Sequence, residues 1–210
     1  MVTNRNGEYI SALDNGDRYI LKKCFAGREC DIKKTREIFE AAGNLAKLHI
    51  IMRYELEHGI PEGTKTDEKY RRHNRELKKV RQFTRKVVPK GEFEFAFLKQ
   101  FDQMYQWAEA AVEELDRSDY EKLYAEEMKK SGMIHGEYNY HNIIMTKEGI
   151  ATTNFEKFRR DIQVEDLYYF LRKVLEKSGW KIRLGDGMLN AYSAIHPLTA
   201  VSYTHLTLPT

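Results

Sequence analysis

Residues 133–175 place the tightest constraint on what this chain can fold into. The apolar pair Met133-Ile134 leads into a polar loop, HGEYNYHN at 135–142, followed by a short apolar run at 143–145. Lys147-Glu148-Gly149 supplies turn chemistry, and IATTNF at 150–155 reads as a returning strand. Val164, Leu167, Tyr168, Leu171, Val174 and Leu175 then recur at helical spacing. The order is loop, strand, turn, strand, helix, and the loop gathers residue types that move protons or bind metals. A zinc-deaminase reading of His135-Gly136-Glu137 with His141 would require a Pro-Cys-x-x-Cys segment, which the chain lacks.

Most of the remaining sequence reads as helix. Residues 8–25 are the exception: EYISAL and RYILKKCF flank Asp14-Asn15-Gly16-Asp17, the pattern of a β-hairpin. A helix is predicted from about Lys33, with Ile38, Ala41, Ala42, Leu45, Ala46, Leu48 and Met52 on one face. A second long helix carries Phe97, Phe101, Met104, Tyr105, Ala108, Val112 and Leu115, and a third, at 120–130, stops before Gly132. At 210 residues the chain is long enough for one domain with a buried core.

Charge is concentrated rather than spread. Residues 69–90 hold ten Lys or Arg against the single acid Glu76, although the net charge is only +3. Such a run suits an anionic partner. It equally suits a helix with a solvated basic face, whose buried stripe would be Tyr70, Leu77, Val80, Phe83 and Val87. Pro89 and Gly91 separate this helix from the next. No aromatic is interleaved on the basic side for base stacking, so nucleic acid is not an expected partner. No run approaches the roughly 20 apolar residues of a membrane helix, and no membrane partner is expected. The N-terminus shows no secretory pattern, which implies a cytoplasmic setting and reduced Cys24 and Cys30. The cysteine spacing fits no zinc or redox motif, and both are expected half-buried beside a strand.

Five motifs in order carry a resemblance: FAGRECD at 25–31, LAKLH at 45–49, HGEYNYHN, TTNFE and DLYYFLRK at 166–173. Together they resemble the spore-coat-associated CotS-like proteins, within the aminoglycoside and choline phosphotransferase branch of the protein-kinase-like fold. The likeness extends over nearly all of residues 8–180 and implies an α+β chain. Residues 1–30 would be a small-lobe hairpin and hinge remnant, and 31–200 a large helical lobe. Lys22 and Lys23 run straight into the implied hinge and are read as ordinary strand residues. The phosphate-binding Lys, its Glu partner and any Gly-rich loop are therefore not expected within this chain.

The resemblance also assigns roles. Glu137 stands where the family has a catalytic Asp, and its extra methylene displaces the carboxylate by about 1.5 Å, enough to cost on the order of 10²-fold in rate. Asn154 stands where the family's metal-binding Asp would be, and a neutral amide brings no charge to Mg²⁺. Asn142 matches the family's amide ligand. Glu156, two residues beyond Asn154, is placed on the same face by strand alternation and is a candidate to reach a metal. His135 is expected to fix the loop and Asp166 to brace it. The resemblance thus implies a degenerate kinase-like component of the spore coat, deposited from the cytoplasm on the forespore and binding other coat proteins, with ATP and Mg²⁺ as cofactors only if it is active. The alternatives are an active ATP- and Mg²⁺-dependent phosphotransferase with a small-molecule acceptor, using Glu137 as base and Asn142 with Glu156 as metal ligands, and an anion-binding module working through 69–90.

Residues 201–210, VSYTHLTLPT, read as the translation of a transposase adapter used in sequencing-library preparation and are expected to be foreign. The natural frame is then expected to depart near Ala200, and Met1 to be an internal methionine.

Overall fold

The computed structural model describes residues 1–53 and 59–207, the last four of these by backbone alone. The chain opens with β1 (Ser11–Ala12) and β2 (Arg18–Tyr19), an antiparallel hairpin turned at Asp14 to Gly16, with Val2 bridged to Leu21 beside it. It is the expected hairpin with shorter strands. No residue before Cys30 is buried, so the hairpin stands outside the core.

β3 (Gly27–Glu29) links this segment to the later hairpin. Within the FAGRECD stretch, β3 pairs antiparallel with β5 (Ile143–Thr146), which pairs in turn with β6 (Ile150–Thr152). Gly27 makes this possible, because a Cβ there would overlap the Met145 carbonyl. Of the two cysteines, Cys24 is exposed and Cys30 buried, and burial pushes the Cys30 thiol up to about 12. Neither is half-buried, because Cys24 precedes the sheet and Cys30 follows it into the core.

α1 (Thr35–Ile51), α5 (Val164–Ser178) and α6 (Ile182–Ser193) enclose the core. Ile38, Ala41, Ala42 and Leu45 of α1 meet Leu167, Phe170 and Val174 of α5 and Met188 and Tyr192 of α6. Small residues on α1 let α6 approach closely, and each buried aliphatic or aromatic side chain contributes about 1.5–3 kcal/mol. Gly179, left-handed at φ 70°, ends α5. α4 (Tyr120–Lys129) precedes β4 (Met133–Ile134), which pairs with β7 (Arg159–Arg160), and α7 (Ala200–Thr207) lies against α4 and α5.

α2 (Thr66–Lys86) and α3 (Glu92–Arg117) form a long helical hairpin. At 21 and 26 residues they extend about 30 and 40 Å. Glu94 accepts from the Gly91 N–H at 2.8 Å and caps α3. The stripe predicted for α2 is only partly buried: Tyr70, Leu77 and Val87 are half-covered, while Val80 and Phe83 are exposed. Polar residues take their place against α3. Asn74 reaches Glu109 at 2.8 Å and Arg81 pairs with Asp102 at 2.7 Å, while Thr84 is buried. On α3, Phe101, Val112 and Leu115 are buried as expected and Met104 is exposed. No helix among the described residues is long and apolar enough to cross a membrane.

Candidate functional site

The loop at 135–142 is held from beneath by Asp166 at the start of α5. One carboxylate oxygen accepts from the His135 N–H at 2.6 Å and the other from the Gly136 N–H at 2.9 Å. His49 of α1 reaches the same carboxylate at 3.2 Å through Nε2, and Tyr192 Oη lies 2.7 Å from His49 Nδ1. The two ring nitrogens of His49 thus join the Asp166 carboxylate to the Tyr192 hydroxyl. These three side chains are buried. Sequence reasoning placed Asp166 beneath the loop but missed His49 and Tyr192. LAKLH contained the signal for His49, and nothing in the sequence marked Tyr192.

His135 is buried and fixed at both ring nitrogens. Nε2 lies 2.8 Å from the Thr153 carbonyl and Nδ1 accepts from the Glu137 N–H at 3.2 Å, which defines the neutral Nε2–H tautomer. Its ring packs on Phe155 at 4.5 Å between centroids. Tyr138 anchors the next position by donating to the Ala41 carbonyl at 2.8 Å while accepting from Asn44 at 3.1 Å, and burial raises its phenol well above the ordinary range. Asn142 donates to the Glu137 carbonyl at 2.9 Å and takes the Thr153 N–H on its own carbonyl, tying loop to hairpin. Gly136, at φ 80°, lies so close to the Lys157 carbonyl that no side chain fits between them.

His135, Glu137, Asn142 and Asp166 thus form one interlocked unit, with Asn154 one residue past its attachment at Thr153. Glu156 is not joined to it. The returning strand ends at Thr152, Asn154 turns left-handed at φ 64°, and Phe155–Lys157 forms one 3₁₀ turn. Strand alternation therefore does not carry Glu156 to the face of Asn154; it is exposed and makes no ion pair among the described residues. Lys157 takes its place at the site, with Nζ 3.1 Å from Glu137 Oε1. This lysine was missed although it directly follows the NFE motif.

The donor set does not fit Mg²⁺ held in the manner of a phosphotransferase. Asn142 and Asn154 offer neutral amides, the Glu137 carboxylate is paired with the exposed Lys157, and Glu156 lies outside the cluster. Among the described residues no three His, Cys, Asp or Glu side chains gather as a metal site. Beside Gly136 and Asp166 a cavity of about 520 Å³ is lined by Tyr70, Tyr169, Arg172 and Trp180. Its charges are internally paired: Lys69 and Arg159 engage Glu165 and buried Asp161, and Arg172 engages Glu176. Burial, and then the Glu165 charge, raise the Asp161 carboxyl above its ordinary range, while Lys69 and Arg159 oppose that rise.

No protein-family model matches the chain. Spore coat protein S of Bacillus subtilis (strain 168) is 28% identical over 116 residues, 55% of this chain and 33% of that protein. The crystal structure of an aminoglycoside phosphotransferase from Alicyclobacillus acidocaldarius subsp. acidocaldarius DSM 446 superposes with a TM-score of 0.84 at 16% identity, covering 98% of this chain and 61% of that one. Amicoumacin kinase hAmiN, solved with AMP-PNP, Ca²⁺ and Ami, superposes at 0.57 with 15% identity, covering 99% and 60%. The chain therefore spans a third of the curated relative and about three fifths of these solved structures. Its fold is α+β and kinase-like, of the aminoglycoside phosphotransferase type, and in sequence it is similar to a spore coat protein.

Proposed function

We propose that this kinase-like chain comes from a spore coat component whose phosphotransfer site has become structural. The observation that carries the reading is the Lys157–Glu137 ion pair beside the neutral Asn154. Phosphoryl transfer needs a free carboxylate for the acceptor proton and an acid to hold metal ions against the phosphates. Here the one carboxylate of the loop is paired with an exposed ammonium, and the metal position is an amide. The loop's support is nonetheless complete, which suits a surface kept rigid for binding rather than for turnover. Similarity to spore coat protein S supports deposition in the coat and other coat proteins as partners.

Thermal unfolding of this chain, with ATP in the presence and absence of Mg²⁺, tests the reading. No Mg²⁺-dependent stabilisation and no ATP consumption are expected. Mg²⁺-dependent binding with ATP consumption that disappears in Glu137→Ala would overturn it in favour of an active small-molecule phosphotransferase. The combined variant Glu137→Asp, Asn154→Asp, Lys157→Ala in this chain is expected to gain Mg²⁺-dependent nucleotide affinity, read by calorimetry.

A further inference from the structure

The free end of the α2–α3 hairpin combines exposed apolar side chains with a run of cations. From Lys78 to Gly91 there are six Lys or Arg and no Asp or Glu. Around the same turn Phe83, Val88, Phe93 and Phe95 are 71%, 86%, 73% and 63% exposed. Nothing else in the described molecule covers them. Every hydrogen bond and ion pair made by side chains from Arg75 to Ala108 stays within the hairpin, including Arg81 with Asp102 and Tyr105 with Glu109. Lys79, Arg85 and Lys86 meet no carboxylate among the described residues, and Lys90 turns inward to the Arg85 and Val87 carbonyls. Of the two acids that open α3, Glu94 is folded back onto the Gly91 N–H, leaving Glu92 as the exception.

We propose that this tip docks on the surface of an anionic lipid bilayer. Hydrocarbon side chains at the end of a two-helix arm enter the boundary between headgroups and acyl chains, while flanking cations meet lipid phosphates. Both halves of the pattern are needed. A polyanion would satisfy Lys79, Arg85 and Lys86 but offers no apolar medium to Val88, and a neutral bilayer would take the apolar residues but not the charge. The sequence gives the opposite expectation, because Val80 and Phe83 fall on a helical stripe that reads as buried. Their exposure follows from α3 meeting α2 through Asn74, Arg81 and Thr84.

The test is co-sedimentation of the 210-residue chain with vesicles of phosphatidylcholine alone and with vesicles containing roughly a third phosphatidylglycerol. Two variants accompany it: Val88→Asp with Phe93→Ser, and Lys79→Glu with Arg85→Glu and Lys86→Glu. All five positions are exposed, and far-ultraviolet circular dichroism checks that the helices persist. The expected result is binding to the phosphatidylglycerol vesicles alone, reduced at least about tenfold in each variant and weakened by salt. Absence of binding to those vesicles would overturn the proposal, as would equal binding to phosphatidylcholine. Binding that survives Val88→Asp with Phe93→Ser but is lost on charge reversal would also overturn it, and heparin capture that survives the apolar variant would then identify a general polyanion surface.

Discussion

Asp166 illustrates how much of the site rests on one side chain. Its two oxygens serve the His135 and Gly136 N–H groups and His49, all inside the protein. Asp166→Asn turns part of that acceptor into a donor facing donors, and the expected cost is about 3 kcal/mol, read as a lower urea midpoint. Glu37 offers a pH-dependent counterpart. The Arg28 guanidinium holds its carboxyl down to about 2 against an ordinary 4.5, with help from the Asp31 N–H and Lys34. A depressed carboxyl stabilises the fold fully above 4.5, and that stabilisation is lost as pH falls toward 2. The stability gap between the protein and Glu37→Gln, measured by chemical unfolding, is therefore expected to be constant above pH 4.5 and to shrink below it.

At the scale of elements, the β3–β5 pairing is the most exposed to test. A Cβ at Gly27 would overlap backbone, which cannot swing aside as a side-chain tip can. Gly27→Ala is expected to cost about 1–3 kcal/mol in denaturant unfolding, with loss of amide protection at Cys30, whose N–H donates to the Ile143 carbonyl of β5. Helical spacing made α1, α3, α4 and α5 legible in the sequence, and turn residues did the same for the first hairpin and for β5–β6. The α2 stripe misled because periodicity reports a face without reporting whether anything meets it. At the site, His135, Glu137, Asn142 and Asp166 were legible as a group through motif order. Lys157 was not, because its effect depends on the left-handed turn at Asn154 and not on strand alternation. Tyr192 was not because 143 residues separate it from His49, and no local pattern records such a partner.

The whole molecule divides into a dense body and a projecting arm. α1, α5 and α6 share one core, whereas the outer half of the α2–α3 hairpin is held by its own few contacts. Hydrogen exchange is expected to be fastest, among the helices, at residues 78–100 and slowest at 38–46 and 164–174, since opening the arm uncovers little apolar surface. Uniform protection across the three segments would contradict this. The buried contact between His49 and Tyr192 also bears on the timing of folding during synthesis. α1 leaves the ribosome with an imidazole that has no lasting partner, and the loop at 135–142 has no brace until Asp166 follows. Because such distant contacts must wait for the intervening chain, the site is among the last parts of the molecule to acquire its shape. A nascent chain stalled before residue 166 would carry the 135–142 loop without its brace.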